Sequence, residues 1–181
     1  ERAVSVFAEL LARFPDEPRA VAELVTLLAV PAIRPQAAAL LQPVFKGPGQ
    51  GWQRVALLEA LVESPDIEHA TVLREELAAL HESLSDFTQA FVGRLKLLTQ
   101  APGDDGARAQ LERLANLAHL EEELIAAYED LLERSLEPSV SLPLRLTIAR
   151  LYAGPLARSE AAIREWEQIA ALDGQSLEAF A

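Results

Sequence analysis

Residues 142–171 read LPLRLTIARLYAGPLARSEAAIREWEQIAA. Leu144, Ile148 and Leu151 recur four and three apart, and Ala162, Trp166 and Ile169 do the same. That spacing puts each set on one face of an α-helix. Between them, Ala153-Gly154-Pro155-Leu156 supplies turn chemistry, and Ser159 is suited to accept from free amides at a helix start. The stretch therefore reads as two short helices folded back on each other.

The same grammar extends over the rest of the chain, and no stretch alternates with period two. Val4, Phe7, Leu10, Leu11 and Phe14 share one helical face, and Pro15-Asp16-Glu17-Pro18 ends that helix and opens the next. A second helix is predicted from about 19 to 30 and a third from about 36 to 45, closed by Gly47-Pro48-Gly49-Gln50-Gly51. Further helices are predicted near 52–63, 68–83, 86–100, 106–118, 120–135, 142–153 and 158–171, with an eleventh from about Ser176 after a break at Asp173-Gly174. Only the break at His119 lacks a turn signal, which leaves one longer helix open there. Helices of about 10 to 16 residues joined by loops of about 2 to 6 must run antiparallel to their neighbours. Ten short ones point to stacked hairpins rather than a four-helix bundle.

Internal repetition points the same way. Shifted by 71 residues, Leu73, Arg74, Ala78 and Leu80 fall on Leu144, Arg145, Ala149 and Leu151. Leu40 falls on Leu111, Ala56 on Ala127 and Leu61 on Leu132; one further residue of shift puts Ala90-Phe91 on Ala162-Ile163 and Leu97 on Ile169. Half of that shift, about 36 residues, is close to the length of one helix-turn-helix repeat.

The residues that carry this pattern resemble a known family. Glu160 to Ile169, with a small residue, an aromatic four later and an apolar residue three after that, is similar to the second-helix signature of tetratricopeptide (TPR) repeats. Leu124 to Leu131 is similar, with Leu124 at the usual Ala position. Ile148-Ala149 with Leu151-Tyr152, and Leu77-Ala78 with Leu80-His81, echo the first-helix signature. The arrangement looks like the degenerate repeats of very large TPR-rich proteins from myxobacteria and related groups. It is clearest over 52–172 and degenerate over 1–51; Arg94 stands where an aromatic is expected, and His81 replaces Tyr.

The resemblance implies one all-α domain over 1–181, a right-handed α-solenoid of about five stacked antiparallel helix hairpins. It also implies a protein-binding scaffold with a concave face lined by first helices. Carried onto this chain, the lining would be Glu75, Ala79 and Glu82, then Glu112 and Asn116, then Leu146 and Arg150. Tyr128, Tyr152, Phe91, Leu97 and Trp166 would fill space between hairpins.

Composition narrows the rest. Half of the 181 residues are hydrophobic and 24% are charged, which suits a folded chain. The formal net charge of -12 opposes phosphate backbones and anionic membrane surfaces, so neither nucleic acid nor a lipid surface is an expected partner. A protein or peptide is expected instead, with other parts of a longer chain or a second copy as further partners. No apolar run approaches the roughly 20 residues that span a bilayer. With no Cys, disulfides and thiolate chemistry are absent, and composition leaves cytoplasm and periplasm both open, the cytoplasm first. The chain opens at Glu1 without Met, inside an expected helix, so the expectation is a segment of a longer bacterial protein.

No motif points to catalysis, a metal or a cofactor. His69, His81 and His119 show no i,i+4 pair. Gly47 to Gly51 lacks the Lys-Ser/Thr of a phosphate loop and reads as a turn between helices. Glu121-Glu122-Glu123 and Asp104-Asp105 sit at predicted helix starts, where the dipole favours acids. Core packing is the expected place of Trp52 and Trp166. Two further readings stand beside the scaffold: an architectural or self-associating segment with no groove ligand, and a helical domain of a larger enzyme or regulator.

Overall fold

A computed structural model describes residues 2–15, 17–47, 49–62, 67–134 and 137–178, with backbone alone at 67–69 and 173–178, and among these described residues there are ten α-helices. They are α1 (Arg2–Arg13), α2 (Pro18–Leu27), α3 (Arg34–Val44), α4 (Gly51–Val62), α5 (Ile67–Ser83), α6 (Phe87–Gln100), α7 (Asp105–Ala118), α8 (Glu121–Leu132), α9 (Pro138–Ala153) and α10 (Ser159–Glu178). No strand occurs among the described residues. Two compact units divide the chain, Glu1–Gly93 and Arg94–Ala181, with the division inside α6.

Consecutive helices form antiparallel hairpins, and cross-helix contacts give the direction. Arg54 meets Glu76 across α4 and α5, and Gly93 abuts Ala78 across α6 and α5. Tyr128 meets Glu112 across α8 and α7, and Arg145 meets Glu165 across α9 and α10. Each pair lies about equally far from the turn between its helices. Alternate helices touch as well. In the first unit α1 packs on both α2 and α3. In the second, Thr147 of α9 donates to Glu112 of α7 at 2.9 Å.

Small residues permit the close crossings. A Cβ on Gly93 would stand 3.1 Å from the Ala78 Cβ. Ala78 and Ala90 are buried, and so are Ala149 and Ala162, their counterparts at the internal shift. In the first unit Leu11, Leu24, Leu41, Phe45 and Leu57 form a buried cluster, with Phe7, Leu10 and Leu61 against its edge. In the second, Leu111, Leu114, Leu131, Leu144, Ile148 and Tyr128 are fully enclosed.

Most ends follow local chemistry. Asp86 Oδ1 accepts from the Gln89 amide at 3.3 Å at the start of α6, and Asp104 Oδ1 accepts from Ala107 at 2.9 Å at the start of α7. Arg34 Nε caps the end of α2 by donating to the Leu28 carbonyl at 2.7 Å. The Gly47–Gln50 turn, with Gly49 at φ 86°, joins α3 to α4 as expected.

The break expected at His119 is present: His119 takes a left-handed φ of 56°, and its amide and that of Leu120 both donate to the Ala115 carbonyl. Three other expectations need correction. Helix α9 starts at Pro138, not near 142, because Pro138 suits the first turn and the helix continues through Pro143. No new helix begins near Ser176, since α10 runs unbroken through Gly174 to Glu178. Trp52 and Trp166 are not core residues, being 56% and 43% exposed.

Two stability results follow. Leu41→Ala, at a side chain with no exposure, is expected to lower the unfolding free energy by about 2–5 kcal/mol in urea titrations. Ala157 holds a left-handed φ of 51°, so Ala157→Gly is expected to raise it by about 0.5–1 kcal/mol.

Candidate interaction surfaces

In the first unit, α1 and α3 pack side by side without closing on each other. Val4 and Leu11 of α1 point into the core, while Ser5, Ala8 and Ala12 lie to one side of that stripe. Leu40 and Val44 of α3 form the opposite wall, with Ala39 above them. The result is an apolar groove made of two adjoining clefts of about 420 and 380 Å³, which share Ala8 and Leu40. Pro15 and Pro43 close one end, and Ser5 and Gln36 mark the other. From Val4 to Pro15 it extends about 16 Å, or three helical turns. Small side chains along its walls let another backbone come near.

A second, polar cleft of about 250 Å³ lies where α3, α4 and α5 meet. Leu57 and Leu58 floor it, and Gln42, Lys46, Arg54 and Glu76 stand around it. Arg54 Nη2 donates to Glu76 at 2.7 Å, so much of its charge is already matched.

The residues carried over from the family separate by role. Glu75, Ala79 and Glu82 follow one another up a single face of α5; the first two are exposed and Glu82 is half-buried. In the second unit, Asn116 and Arg150 are exposed and Leu146 is half-buried. Because α7 and α9 touch, the Glu112–Asn116 and Leu146–Arg150 rows lie on neighbouring helices. Glu112 itself is occupied with internal contacts. Its Oε1 accepts from Tyr128 at 3.2 Å and from Thr147 at 2.9 Å, and Arg108 Nε stands 3.8 Å away. Glu112 thus ties α7 to both α8 and α9.

Burial, followed by the Glu112 charge, holds the Tyr128 phenol well above its ordinary pKa. Tyr152, which donates to Glu129 at 3.2 Å, is also raised, by desolvation first and then by Glu129. A raised phenol stabilises the fold below the unfolded pKa of about 10 and loses that contribution as pH climbs above it.

His81 is 5% exposed, and its Nδ1 lies 3.2 Å from Asp86 Oδ2. The same Asp86 caps α6, and the Trp52 and His81 ring centroids stand 6.3 Å apart with their planes steeply inclined at 68°. This cluster fastens the α5–α6 corner. His119 is exposed, and the His69 side chain lies outside the described ones. Among the described residues, no three His, Asp or Glu side chains gather as a metal site would require, and no helix is long and apolar enough to cross a membrane.

No family model matches the chain, and neither a curated protein nor a solved structure matches it.

Sequence reasoning missed the α1–α3 groove. The carried-over family positions begin at α5, and the Pro and Gly breaks made residues 1–51 look degenerate. A usable signal was there: Ser5, Ala8, Ala12 and Pro15 form a small-residue strip beside the Val4–Leu11 stripe. Such a strip widens the apolar arc without filling it.

Because the chain has only two tyrosines, a spectrophotometric titration tests the Glu112 tie. In wild-type protein the Tyr128 hydroxyl is expected to ionise only together with loss of helix, above pH 10. In Tyr128→Phe the alkaline loss of helix is expected to shift to higher pH, leaving one titrating phenol.

Proposed function

We propose that this chain is a TPR-like helical-repeat segment whose job is non-catalytic protein–protein interaction. On this reading about five antiparallel hairpins stack as a right-handed α-solenoid. A peptide or partner helix lies along the first helices of the hairpins. Contacts between alternate helices inside each unit, α1 with α3 and α7 with α9, support such stacking, since a solenoid joins first helix to first helix in this way.

The observation that carries the reading is the open apolar groove between α1 and α3. Leu11, Leu40 and Val44 line a channel that no described side chain fills. Exposed apolar surface of this kind costs solubility and marks interaction sites. A helix laid in a groove of three turns would present apolar anchors at i, i+3 or i+4, and i+7. Within the first unit, Glu75, Ala79 and Glu82 of α5 would add polar and shape contacts; the second unit would offer a row of its own at Asn116, Leu146 and Arg150. Glu112 would act mainly by holding α7 and α9 in place.

Selection from a displayed library of amphipathic helices tests this. Binders with apolar residues at helical spacing are expected. Ala12→Arg and Ala39→Arg, both at exposed positions in the groove wall, should each weaken them tenfold or more, about 1.4 kcal/mol. Paired reversal of Glu75 and Glu82 to Lys should alter preference for basic peptides. Selected binders indifferent to both groove changes and to the α5 reversals would contradict the reading.

A further inference from the structure

The helix α10 carries an apolar ridge that its own hairpin covers only in part. Its inward face is spoken for: Ala162 is buried, and Glu165 and Gln168 both bond to Arg145 of α9. Along one edge of that face Trp166 is 43% exposed and Ile163, further round the helix, is 56% exposed, with exposed Ala170 one turn on. Exposed Glu160 and Glu167 flank this ridge, with Arg164 beside them.

We propose that the Ile163–Trp166 ridge of α10 seats in the α1–α3 groove of a second copy, joining copies head to tail. This rests on the groove reading above and names its occupant. Three observations favour this partner. The ridge offers two large apolar side chains about one turn apart, and the groove offers two adjoining clefts along α1. The clefts meet at Ala8, and the walls carry Ala12 and Ala39, so a helix backbone can approach while Trp166 enters between Leu40 and Val44. Charge also matches locally. The next side chains round α1 from the groove wall are Arg2, Glu9 and Arg13, all exposed and net basic, in a chain whose net charge is -12. Glu160 and Glu167, about 10 Å apart along α10, can meet Arg2 and Arg13, about 16 Å apart along α1, through their long side chains.

The contact uses two different surfaces, so it is heterologous and leaves a free groove at one end and a free ridge at the other. The ridge is only two large side chains long, which makes each joint weak and concentration-dependent.

Sedimentation velocity on the full chain tests this with two variants. Trp166→Asp spoils the ridge, and Ala12→Arg fills the groove; both sites are exposed, and circular dichroism checks that the helices persist. Wild-type protein should show a sedimentation coefficient that rises with concentration. Each variant alone should stay monomeric. Mixed together, they retain one intact ridge and one intact groove, and should form a 1:1 heterodimer that grows no further. Wild-type protein that stays monomeric throughout, variants that assemble like wild type, or a mixture that does not pair would each overturn the proposal. Trp166→Asp also separates the two readings. If this variant still binds groove-selected helical peptides while wild type does not self-associate, the groove stands and the head-to-tail contact falls. If wild type assembles as described but selects no helical peptide, the groove serves copies of itself alone.

Discussion

Two helices of a hairpin can come together only as closely as the side chains between them allow. Between α5 and α6 that distance is set by Ala78 against Gly93, and the buried Ala149 and Ala162 stand at the shifted positions of Ala78 and Ala90 in the other unit. Small residues at the crossing let larger ones on either side interlock, so Leu98 and Phe91 of α6, and Leu144 and Ile148 of α9, become enclosed. The cost is that each hairpin covers one flank and leaves another apolar. A following hairpin must cover it, or it stays open to something else. The groove between α1 and α3 is apolar surface left open, and the Ile163–Trp166 ridge of α10 is another.

Polar contacts hold the hairpins in register more than they strengthen them. Glu112 accepts from two helices at once, and its partner Tyr128 is fully buried, so sliding α8 past α7 would strand a phenol in the core. His81 and Asp86 do similar work at the α5–α6 corner, where Asp86 also satisfies a helix-end amide. Exposed pairs such as Arg158–Glu122 contribute little by comparison.

The all-helical character was legible from spacing alone, because apolar residues three and four apart leave no other regular structure. The hairpin boundaries were legible wherever Pro, Gly or Asp stood at them. Errors came where a helix ran through a residue that reads locally as a boundary. Gly174 reads as a stop, yet α10 continues through it. A helix is expected from about 142, yet α9 begins at Pro138 and runs through Pro143. Burial of tryptophan is a strong tendency, but Trp166, one turn from the buried Ala162 on the same side of α10, is 43% exposed. The resemblance drew attention to rows at Glu75 and Asn116, and it carried no information about the groove. A groove is an unfilled space between two helices, and spacing along one helix says nothing about how far its neighbour stands off.

The account stands or falls on where a helical ligand touches the protein. Methyl-resolved NMR on the full chain with a bound amphipathic helix reads this directly, since Ala8, Ala12, Leu40 and Val44 each carry a methyl reporter inside the groove. The account predicts shifts concentrated on those residues, with Leu57 and Leu58 of the neighbouring polar cleft unmoved. Saturating ligand that shifted Leu57 and Leu58, and left Ala8 and Leu40 where they were, would contradict it.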